Sequence, residues 1–427
     1  MFLGVITAIF FALALLGVPL VWALLGTAVL SNFSLSFPYP DQALMVNFIG
    51  GVEPFHLVAV PLFILAGEII SRGGVGERLI AFARTLFGFL PGGLGVVTVV
   101  GCMLFGAVSG SAIATAAAIG TVMAPGMAAA GYRPAFTGAL IATAGTLGII
   151  IPPSIPMLVF GFVANTSVAE LFIAGIVPGV LFGIALIVVC VWEGRSTGCD
   201  PGGRPASRAE IAAAFRACAP ALMMPLIILG GIYSGVFTPT EAAAVACAYS
   251  LFVAMVVYRS LPLAQLPVIL RATMVTSAVV MLVIGATNAL AWLITLEQVP
   301  AQMLELVRGI ADDRWSFLLL LNIILLVLGV FLEPLPAMLL AVPLFLPVAQ
   351  AYGIDTVHLG LIFTCNLAIG LYSPPVGGTL FVAAKIAGVG MAAISRALIP
   401  LFLSSLVVML LITYVEAVPM ALVWLGR

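Results

Sequence analysis

The chain has 427 residues, of which 63% are hydrophobic and only 7% are charged, and its mean hydropathy of +1.31 excludes a soluble domain, which carries roughly 25% charged residues. The net charge of −1, with Lys385 as the single lysine, argues against a nucleic-acid partner, and the six scattered cysteines predict neither a disulfide bond nor a zinc site. At about 20 apolar residues per span, the length allows roughly ten to twelve helical passes through a membrane.

The N-terminal part predicts two spans and one surface helix. The run Leu3–Leu30 is too long for the apolar core of a signal peptide and is interpreted as a retained first span. A polar segment, Ser31–Asn47, separates it from a second span at about Phe48–Ile70. In the stretch 71–93 the arginines share one side and the apolar residues the other, which predicts an amphipathic helix lying along the membrane.

The next two apolar runs are each too short for a comfortable span. They flank Gly106–Thr115, a segment of small and hydroxylated residues. A re-entrant helical hairpin with its tip at Ser109, Gly110 and Ser111 accounts for this pattern, because irregular backbone is tolerated at membrane depth where protein surrounds it.

A broken span over Pro134–Val163 follows, interrupted by Pro152 and Pro153, and a further span reaches Val191. The polar segment Trp192–Arg216 predicts a central linker between two halves. The remaining elements are then read in order: spans near Ala217–Val236, Glu241–Tyr258 and Ala272–Leu296, a second amphipathic segment at Glu297–Trp315, a second short pair of runs around Glu333-Pro334, a second broken span over Val357–Ala384 with Pro374-Pro375, and a final span to about Tyr414.

The two halves are predicted to be inverted repeats. At a fixed offset of 222 residues, seven Gly or Pro identities occur where about one is expected by chance: Pro125/Pro347, Gly131/Gly353, Gly138/Gly360, Gly148/Gly370, Pro152/Pro374, Pro153/Pro375 and Pro178/Pro400. The predicted topology puts twelve of the fifteen basic residues on the cytoplasmic side, as the positive-inside rule requires. In this topology five spans separate the two amphipathic segments. An odd number of spans puts the segments on opposite sides, which is typical of secondary transporters whose sites form at discontinuous helices.

The two breaks carry the functional prediction. Each proline in a helix costs about 3 kcal/mol and frees a carbonyl four residues back, here those of Gly148, Ile149, Gly370 and Leu371. Carbonyl and hydroxyl oxygens are suitable ligands for Na⁺. We therefore predict that Na⁺ is bound by Ser109, Ser111, Gly148, Gly370, Ser373 and Thr379. Around this set, the wider candidate site for ion and substrate comprises Gly110, Thr115, Thr143, Thr146, Pro152, Pro153, Ser154, Glu333, Pro334, Asn366, Pro374, Pro375 and Gly377.

Three other interpretations remain open from the residues. The prolines and small residues could serve only helix packing. Ser109 or Ser111 could be the nucleophile of an intramembrane hydrolase, for which His56 and His358 are the available bases. Glu68, Glu241 and Glu333 lie in or near spans and could carry protons.

Five stretches together resemble one known family, the large membrane (M, DctM-like) subunit of tripartite ATP-independent periplasmic (TRAP) transporters. They are FGAVSGSAIATAAAIGTVMAP, ATAGTLGIIIPPSIPMLVFG, ELFIAGIVPGVL, GVFTPTEAAAVA and NLAIGLYSPPVGGTLFVAAKIAGV. The resemblance implies an all-α membrane protein of the ion transporter superfamily type: an inverted-repeat elevator transporter with two re-entrant hairpins and two broken helices.

The resemblance also implies partners, a coupling ion and a location, but no enzyme activity. We expect Na⁺-coupled uptake, across a bacterial inner membrane, of an organic acid anion such as a C4-dicarboxylate, sialic acid or another sugar or keto acid. A soluble periplasmic binding protein would deliver it, and a small membrane (Q) subunit is expected as a separate chain. A carboxylate or ion antiporter that needs no partner is the alternative. The expected division is 1–71 scaffold, 72–191 first repeat, 192–218 linker, 219–296 scaffold and 297–427 second repeat.

Overall fold

The computed structural model describes residues 2–35 and 38–426, and in these residues the fold is built from α-helices. In chain order they are α1 (Phe2–Leu15), α2 (Leu20–Phe33), α3 (Asp41–Val52), α4 (Ala59–Arg72), α5 (Val75–Phe87), α6 (Gly93–Ser109), α7 (Ala112–Ala129), α8 (Pro134–Gly145), α9 (Leu147–Ile150), α10 (Ile155–Val163), α11 (Val168–Thr197), α12 (Arg208–Tyr233), α13 (Pro239–Phe252), α14 (Leu266–Leu296), α15 (Val299–Arg308), α16 (Arg314–Phe331), α17 (Pro334–Ala351), α18 (Thr356–Gly370), α19 (Gly378–Ala387), α20 (Met391–Ala397), α21 (Ile399–Tyr414) and α22 (Ala417–Gly426). Of the predicted polar segment Ser31–Asn47, residues Ser36 and Phe37 lie outside the described part.

The helices confirm a multi-pass membrane protein. Eight of those described are long and apolar enough to cross a membrane, or up to 11 spans if each bent pair counts as one. The apolar run Leu3–Leu30, predicted as one span, is instead two short helices, α1 and α2, that pack against each other. The reason is local, because Gly17 adopts a left-handed backbone (φ +77°) and Pro19 has no amide hydrogen to continue a helix.

The first repeat follows the prediction closely. Helix α5, from the first amphipathic segment, buries one apolar face against α6 and α12; we call α5 and its counterpart α15 the two arms. Helices α6 and α7 form a hairpin that turns at Gly110, which is left-handed (φ +63°), and at Ser111, whose hydroxyl caps α7. The broken span bends by 44° between the α8–α9 segment and α10. Its Pro152–Pro153 bond is cis, as is the Pro374–Pro375 bond in the second repeat.

The second repeat copies these elements but arranges its hairpin differently. Helices α16 and α17 take the places of α6 and α7, yet they hardly touch each other. α16 packs along α18, whereas α17 packs mainly on α10 and also contacts α14, α15 and α18. The tip at Glu333 is therefore a splayed corner rather than a tight hairpin turn. A further helix, α22, which the sequence did not indicate, follows the expected final span and packs on α11.

The helices predicted to form the scaffold pack around α14. This helix of 31 residues packs on α2, α3 and α4, and α4 in turn packs on α13. Tyr39, which precedes α3, contacts the end of α14, because its phenol donates a hydrogen bond at 2.9 Å to Glu297, the residue that follows this helix. That hydrogen bond raises the pKa of the Tyr39 phenol.

The central linker is shorter and more ordered than the polar composition of Trp192–Arg216 suggests. Helix α11 extends to Thr197 and α12 begins at Arg208, where Ser207 and Glu210 form a capping box. The irregular part is therefore only residues 198–207. The Ser207 backbone N–H donates to the Glu210 carboxylate and lowers the pKa of that group.

Asp200 fixes the linker to the base of the first hairpin. Its Oδ2 accepts from the Leu94 backbone N–H at 2.6 Å and from the Tyr132 hydroxyl at 3.2 Å. Its carbonyl accepts from the Gly92 N–H, and the Gly203 N–H donates to the Gly88 carbonyl. Helix α6 thus receives its N-terminal acidic cap from a residue far along the chain, and we name this set of bonds the Asp200 clamp.

We expect Asp200→Ala to lower the free energy of unfolding by about 1–2 kcal/mol, because α6 loses its cap and alanine disfavours the left-handed backbone (φ 47°) at this position. Asp200→Asn, which keeps an oxygen acceptor and tolerates that backbone, is the matched control and should cost much less. Denaturant titration of both purified variants in detergent measures the difference. Equal stability of Asp200→Ala and the wild type would contradict the clamp.

Candidate functional site

The first hairpin tip is pressed against the first helix break. A Cβ built on Gly148 would lie 2.5 Å from the Thr115 hydroxyl oxygen and 2.7 Å from the Ser111 carbonyl oxygen. A Cβ on Gly106 would lie 2.6 Å from the Gly148 Cα, and one on Gly110 would lie 3.0 Å from the Pro153 carbonyl oxygen. Only glycine allows these backbones to approach so closely.

Oxygen atoms converge at this contact. The hydroxyls of Ser109 and Thr115 are 2.9 Å apart, and the Thr115 hydroxyl donates to the Ser111 carbonyl at 2.7 Å. At the break itself, the Ser154 hydroxyl donates to the Ile149 carbonyl at 2.6 Å. Ser109, Thr115 and Ser154 are each at most 3% exposed. The first break therefore presents a buried cluster of hydroxyl and carbonyl oxygens without a formal charge.

The second break has its own hydroxyls and carbonyls. The Thr379 hydroxyl and backbone N–H both donate to the Leu371 carbonyl, and the Ser373 hydroxyl donates to the Ile369 carbonyl at 2.7 Å. The Gly370 carbonyl accepts from the Ser373 N–H. A carbonyl oxygen has two lone pairs, so the Gly370 carbonyl, which accepts this one bond, keeps capacity for an ion, whereas the Leu371 carbonyl already accepts two.

The two breaks differ in burial. Pro152 and Pro153 are buried, whereas Pro374 and Pro375 are exposed. The packing of the preceding glycine is nevertheless repeated, because Gly370 contacts the Gly329 backbone of α16 as Gly148 contacts Gly106 of α6. The repeat found in the sequence is therefore also present in the packing of the helices, since both breaks place a glycine against a glycine of the preceding hairpin.

Sequence reasoning missed the amide network behind the second break. The Asn366 side chain donates to the Asn322 Oδ1 at 2.6 Å and to the Ile362 carbonyl, and Thr413 donates to the same Asn322 oxygen. This network joins α16, α18 and α21. Asn366, predicted beside the ion site, is thereby engaged in helix packing. Asn322 and Thr413 were not anticipated, because a single polar residue in an apolar run gives no indication of its partner.

One cavity of about 520 Å³ brings both hairpin tips together, within the 300–1,000 Å³ typical of small-molecule sites. Its walls come from α4 and α14 of the scaffold, from the first hairpin tip, from the start of α10 and from the second tip. Its polar lining residues are Glu68, Ser71, Arg72, Ser109, Ser111, Thr276 and Glu333, and Gly110, Ile149, Pro334 and Leu371 also line it. Both breaks therefore reach the same space.

The remaining predicted residues do not line this cavity, and two of them, Ser373 and Pro374, line a separate cavity between α16 and α21. Thr143 and Thr146 are buried in the first broken helix and hydrogen-bond to carbonyls one turn back, and Gly377 packs on the Leu371 carbonyl. Glu68 and Arg72 form an ion pair at 3.3 Å. Arg72 and Thr276 were not identified as site residues from the sequence, because their contribution depends on how the scaffold meets the hairpins.

The histidines proposed as hydrolase bases have other contacts. His358 lies in the first turn of α18, away from the second break, where its Nε2 is 2.9 Å from the Ile412 carbonyl of α21, and the His56 ring packs at a tilt against Phe162. The Ser109 hydroxyl is bonded to Thr115 instead. Among the described residues no hydrogen bond links either histidine to Ser109 or Ser111, so the geometry gives the hydrolase interpretation no support. Glu241 caps α13 in a capping box with Thr238, which is a structural role.

Comparison with known proteins reveals a match along nearly the whole chain. Residues 7–418 match the family described as "Tripartite ATP-independent periplasmic transporter, DctM component". The chain is 42% identical to the C4-dicarboxylate TRAP transporter large permease protein DctM of Pseudomonas aeruginosa, over 94% of each chain. It is 37% identical to the sialic acid TRAP transporter large permease protein SiaM of Vibrio cholerae, over 93% of this chain and 91% of the relative.

A solved structure has the same overall fold. The YdaH transporter of Alcanivorax borkumensis superposes with a TM-score of 0.61, covering 90% of this chain and 87% of that one, at 14% sequence identity. At that identity the likeness concerns the fold alone.

Proposed function

Because this chain belongs to the family of DctM components of tripartite ATP-independent periplasmic transporters, and is therefore a large permease subunit of the inner membrane, we propose that it couples Na⁺ entry to the uptake of an organic acid anion. The single observation that carries this proposal is the oxygen cluster where the first hairpin tip meets the first break. Ser109, Ser111 and Ile149 of this cluster line the cavity that both tips share.

Two groups of oxygens would hold the ions. At the first break these are the hydroxyl and carbonyl oxygens of Ser109 and Ser111 and the Gly148 carbonyl. At the second break they are the Gly370 carbonyl and the oxygens of Ser373 and Thr379. Hard oxygen donors without formal charge suit a monovalent cation, and unwound backbone in transporters serves this purpose. Na⁺ is here a transported ion, and the protein supplies the oxygens.

The anion would bind in the shared cavity, next to the ions. The helices α7 and α10 begin at its wall and direct their positive ends toward it. A bound Na⁺ would add positive charge at the same place, so ion and anion would favour each other's binding. This reciprocal effect is how an ion gradient can drive accumulation of a substrate.

We also propose the partners that the family description implies. A soluble binding protein would deliver the substrate, and a small membrane subunit would be a separate chain beside the scaffold. The motion would carry the hairpins and broken helices past the scaffold, and the chain would act as a transporter without catalysing a reaction. The relatives named above are assigned different acids, so the family alone does not identify the substrate.

Reconstitution in proteoliposomes tests the proposal. With the small subunit and the binding protein present, we expect uptake of a labelled acid only when Na⁺ is higher outside, and no uptake when K⁺ replaces Na⁺. Internal or external ATP should have no effect. Uptake that needs ATP and ignores Na⁺ would refute the proposal. Uptake by this chain without the binding protein would favour the antiporter alternative.

A further inference from the structure

A further cavity, of about 350 Å³, lies at the base of the first hairpin. It is enclosed by the C-terminal half of α7, the first turn of α8 and the end of α19, so both repeats contribute to its wall. In the predicted topology these parts of the three helices lie at the cytoplasmic surface of the membrane. The lining residues are Thr121, Ala124, Pro125, Ala128, Pro134, Thr137, Ile386 and Ala387.

The cavity opens to the outside of the protein. Thr121, Pro125 and Ala128 follow one face of α7 and are exposed, as is Pro134 at the start of α8. Helix α7 is among those apolar enough to lie in a membrane, so its exposed face contacts lipid. A lipid molecule can therefore enter the cavity without crossing the protein.

One buried polar group in the lining has no partner. The Thr137 side chain is 3% exposed, and its hydroxyl oxygen forms no hydrogen bond with any described residue. Other buried threonines, such as Thr143 and Thr364, donate to a carbonyl of their own helix. An unpaired buried hydroxyl is unfavourable, so a ligand that forms a hydrogen bond with Thr137 would be stabilised in the cavity.

The groups around this hydroxyl favour a negatively charged ligand. The first turn of α8 leaves the N–H groups of Ala135 and Phe136 without an acceptor among the described residues, and the positive end of the helix dipole lies there. None of the described residues that line the cavity is acidic. Of the two nearest cations, Arg133 is already paired with Glu193 at 2.7 Å. Lys385, just before the lining residues of α19, is exposed and forms no ion pair within the described part of the chain.

We propose that this cavity binds an anionic phospholipid of the cytoplasmic leaflet. The lipid phosphate accepts hydrogen bonds from the Thr137 hydroxyl and the first turn of α8, and it pairs with Lys385, whose long side chain extends toward the membrane surface. One acyl chain packs on the apolar part of the lining, which includes Pro125 and Ile386. The lipid thereby joins α7 and α8 of the first repeat to α19 of the second. This inference is independent of the proposed transport of an acid anion.

The composition of the lining favours a lipid over a soluble phosphate. A free phosphate would contact only the polar groups and would leave the apolar lining of Ala124, Pro125, Ile386 and Ala387 in contact with water. A phospholipid contacts both parts at once, because its phosphate and its acyl chain are covalently joined.

Native mass spectrometry tests the inference on the purified complex of this chain and its small subunit, after removal of lipid in detergent. The measured quantity is the dissociation constant of the first lipid bound. We expect phosphatidylglycerol to bind at least about tenfold more tightly than a diacylglycerol with the same acyl chains and no phosphate. Glycerol phosphate, which has no acyl chain, should not displace phosphatidylglycerol even in about a hundredfold excess.

Two variants remove the proposed phosphate contacts. Thr137→Val should weaken phosphatidylglycerol binding by about tenfold, yet leave the melting temperature of the lipid-free protein unchanged or higher, because the hydroxyl has no partner there. Lys385→Gln should weaken binding by about fivefold. Thr364→Val, at a buried hydroxyl bonded within α18, and Arg208→Gln, at an exposed arginine that begins α12, are the matched controls and should leave lipid binding unchanged.

Three results would overturn the inference. Diacylglycerol that binds as tightly as phosphatidylglycerol would show that the phosphate has no role. Displacement by an equal concentration of glycerol phosphate would assign the cavity to a soluble ligand. The third is wild-type affinity for phosphatidylglycerol in both Thr137→Val and Lys385→Gln. Because Lys385 is exposed, its variant decides the question even if Thr137→Val does not insert into the membrane.

Discussion

The Gly148→Ala variant is expected to lose nearly all transport, with uptake reduced by about 100-fold or more. The added Cβ would sit 2.5 Å from the Thr115 hydroxyl and 2.7 Å from the Ser111 carbonyl, and a backbone carbonyl cannot rotate away as a side chain can. The hairpin tip must then separate from the break, which displaces the oxygens proposed to hold Na⁺. Initial rates of Na⁺-driven uptake in proteoliposomes measure the effect.

Gly126→Ala is the matched control for this substitution. Gly126 lies on the same hairpin, in the body of α7, and a Cβ there would contact nothing within 4 Å. Alanine in a helix interior is more favourable than glycine by about 0.5–1 kcal/mol, so this variant should insert and transport normally. Normal transport by Gly148→Ala would show that the close approach of tip and break is not required.

Gly370→Ala is expected to have the second-largest effect, with unfolding made easier by about 1–3 kcal/mol and transport largely lost. Its Cβ would overlap the backbone of Gly329, so α16 and α18 would have to move apart. That separation would also strain the amide network of Asn322 and Asn366. Thermal unfolding in detergent and Na⁺-driven uptake together measure the result.

Gly230→Ala serves as its control, because Gly230 lies within the helix α12 and a Cβ there contacts nothing within 4 Å. The comparison also tests the repeat. If Gly370→Ala transported normally while Gly148→Ala did not, the two breaks would be equivalent in sequence but not in function. The exposure of Pro374 and Pro375 makes this a meaningful outcome to look for.

Much of the first repeat could be predicted from the sequence because its signals are local. A Gly-Ser turn between two short apolar runs and a Pro-Pro pair inside a span each change the backbone where they stand. The structure places the hairpin turn at Gly110 and the break at Pro152, as expected. The amphipathic arms α5 and α15 were predicted for the same reason, since their pattern is contained in one segment.

Features that depend on distant partners could not be predicted. The splay of α16 from α17 arises because α17 packs on α10 and α14 instead. Arg72 enters the cavity wall only because α4 ends beside the first hairpin tip. The division of Leu3–Leu30 into two helices is a different case, since Gly17 and Pro19 were visible in the sequence and were outweighed by the overall hydropathy.

The Asp200 clamp has a consequence for how the protein is made. It joins the segment between α5 and α6 to the segment before α12, so the chain from α6 to the end of α11 forms a closed loop. Such a loop is complete as soon as Gly203 has been synthesised, before any of the second half exists. The first half can therefore adopt its native contacts during insertion and offer the later helices a finished surface on which to assemble.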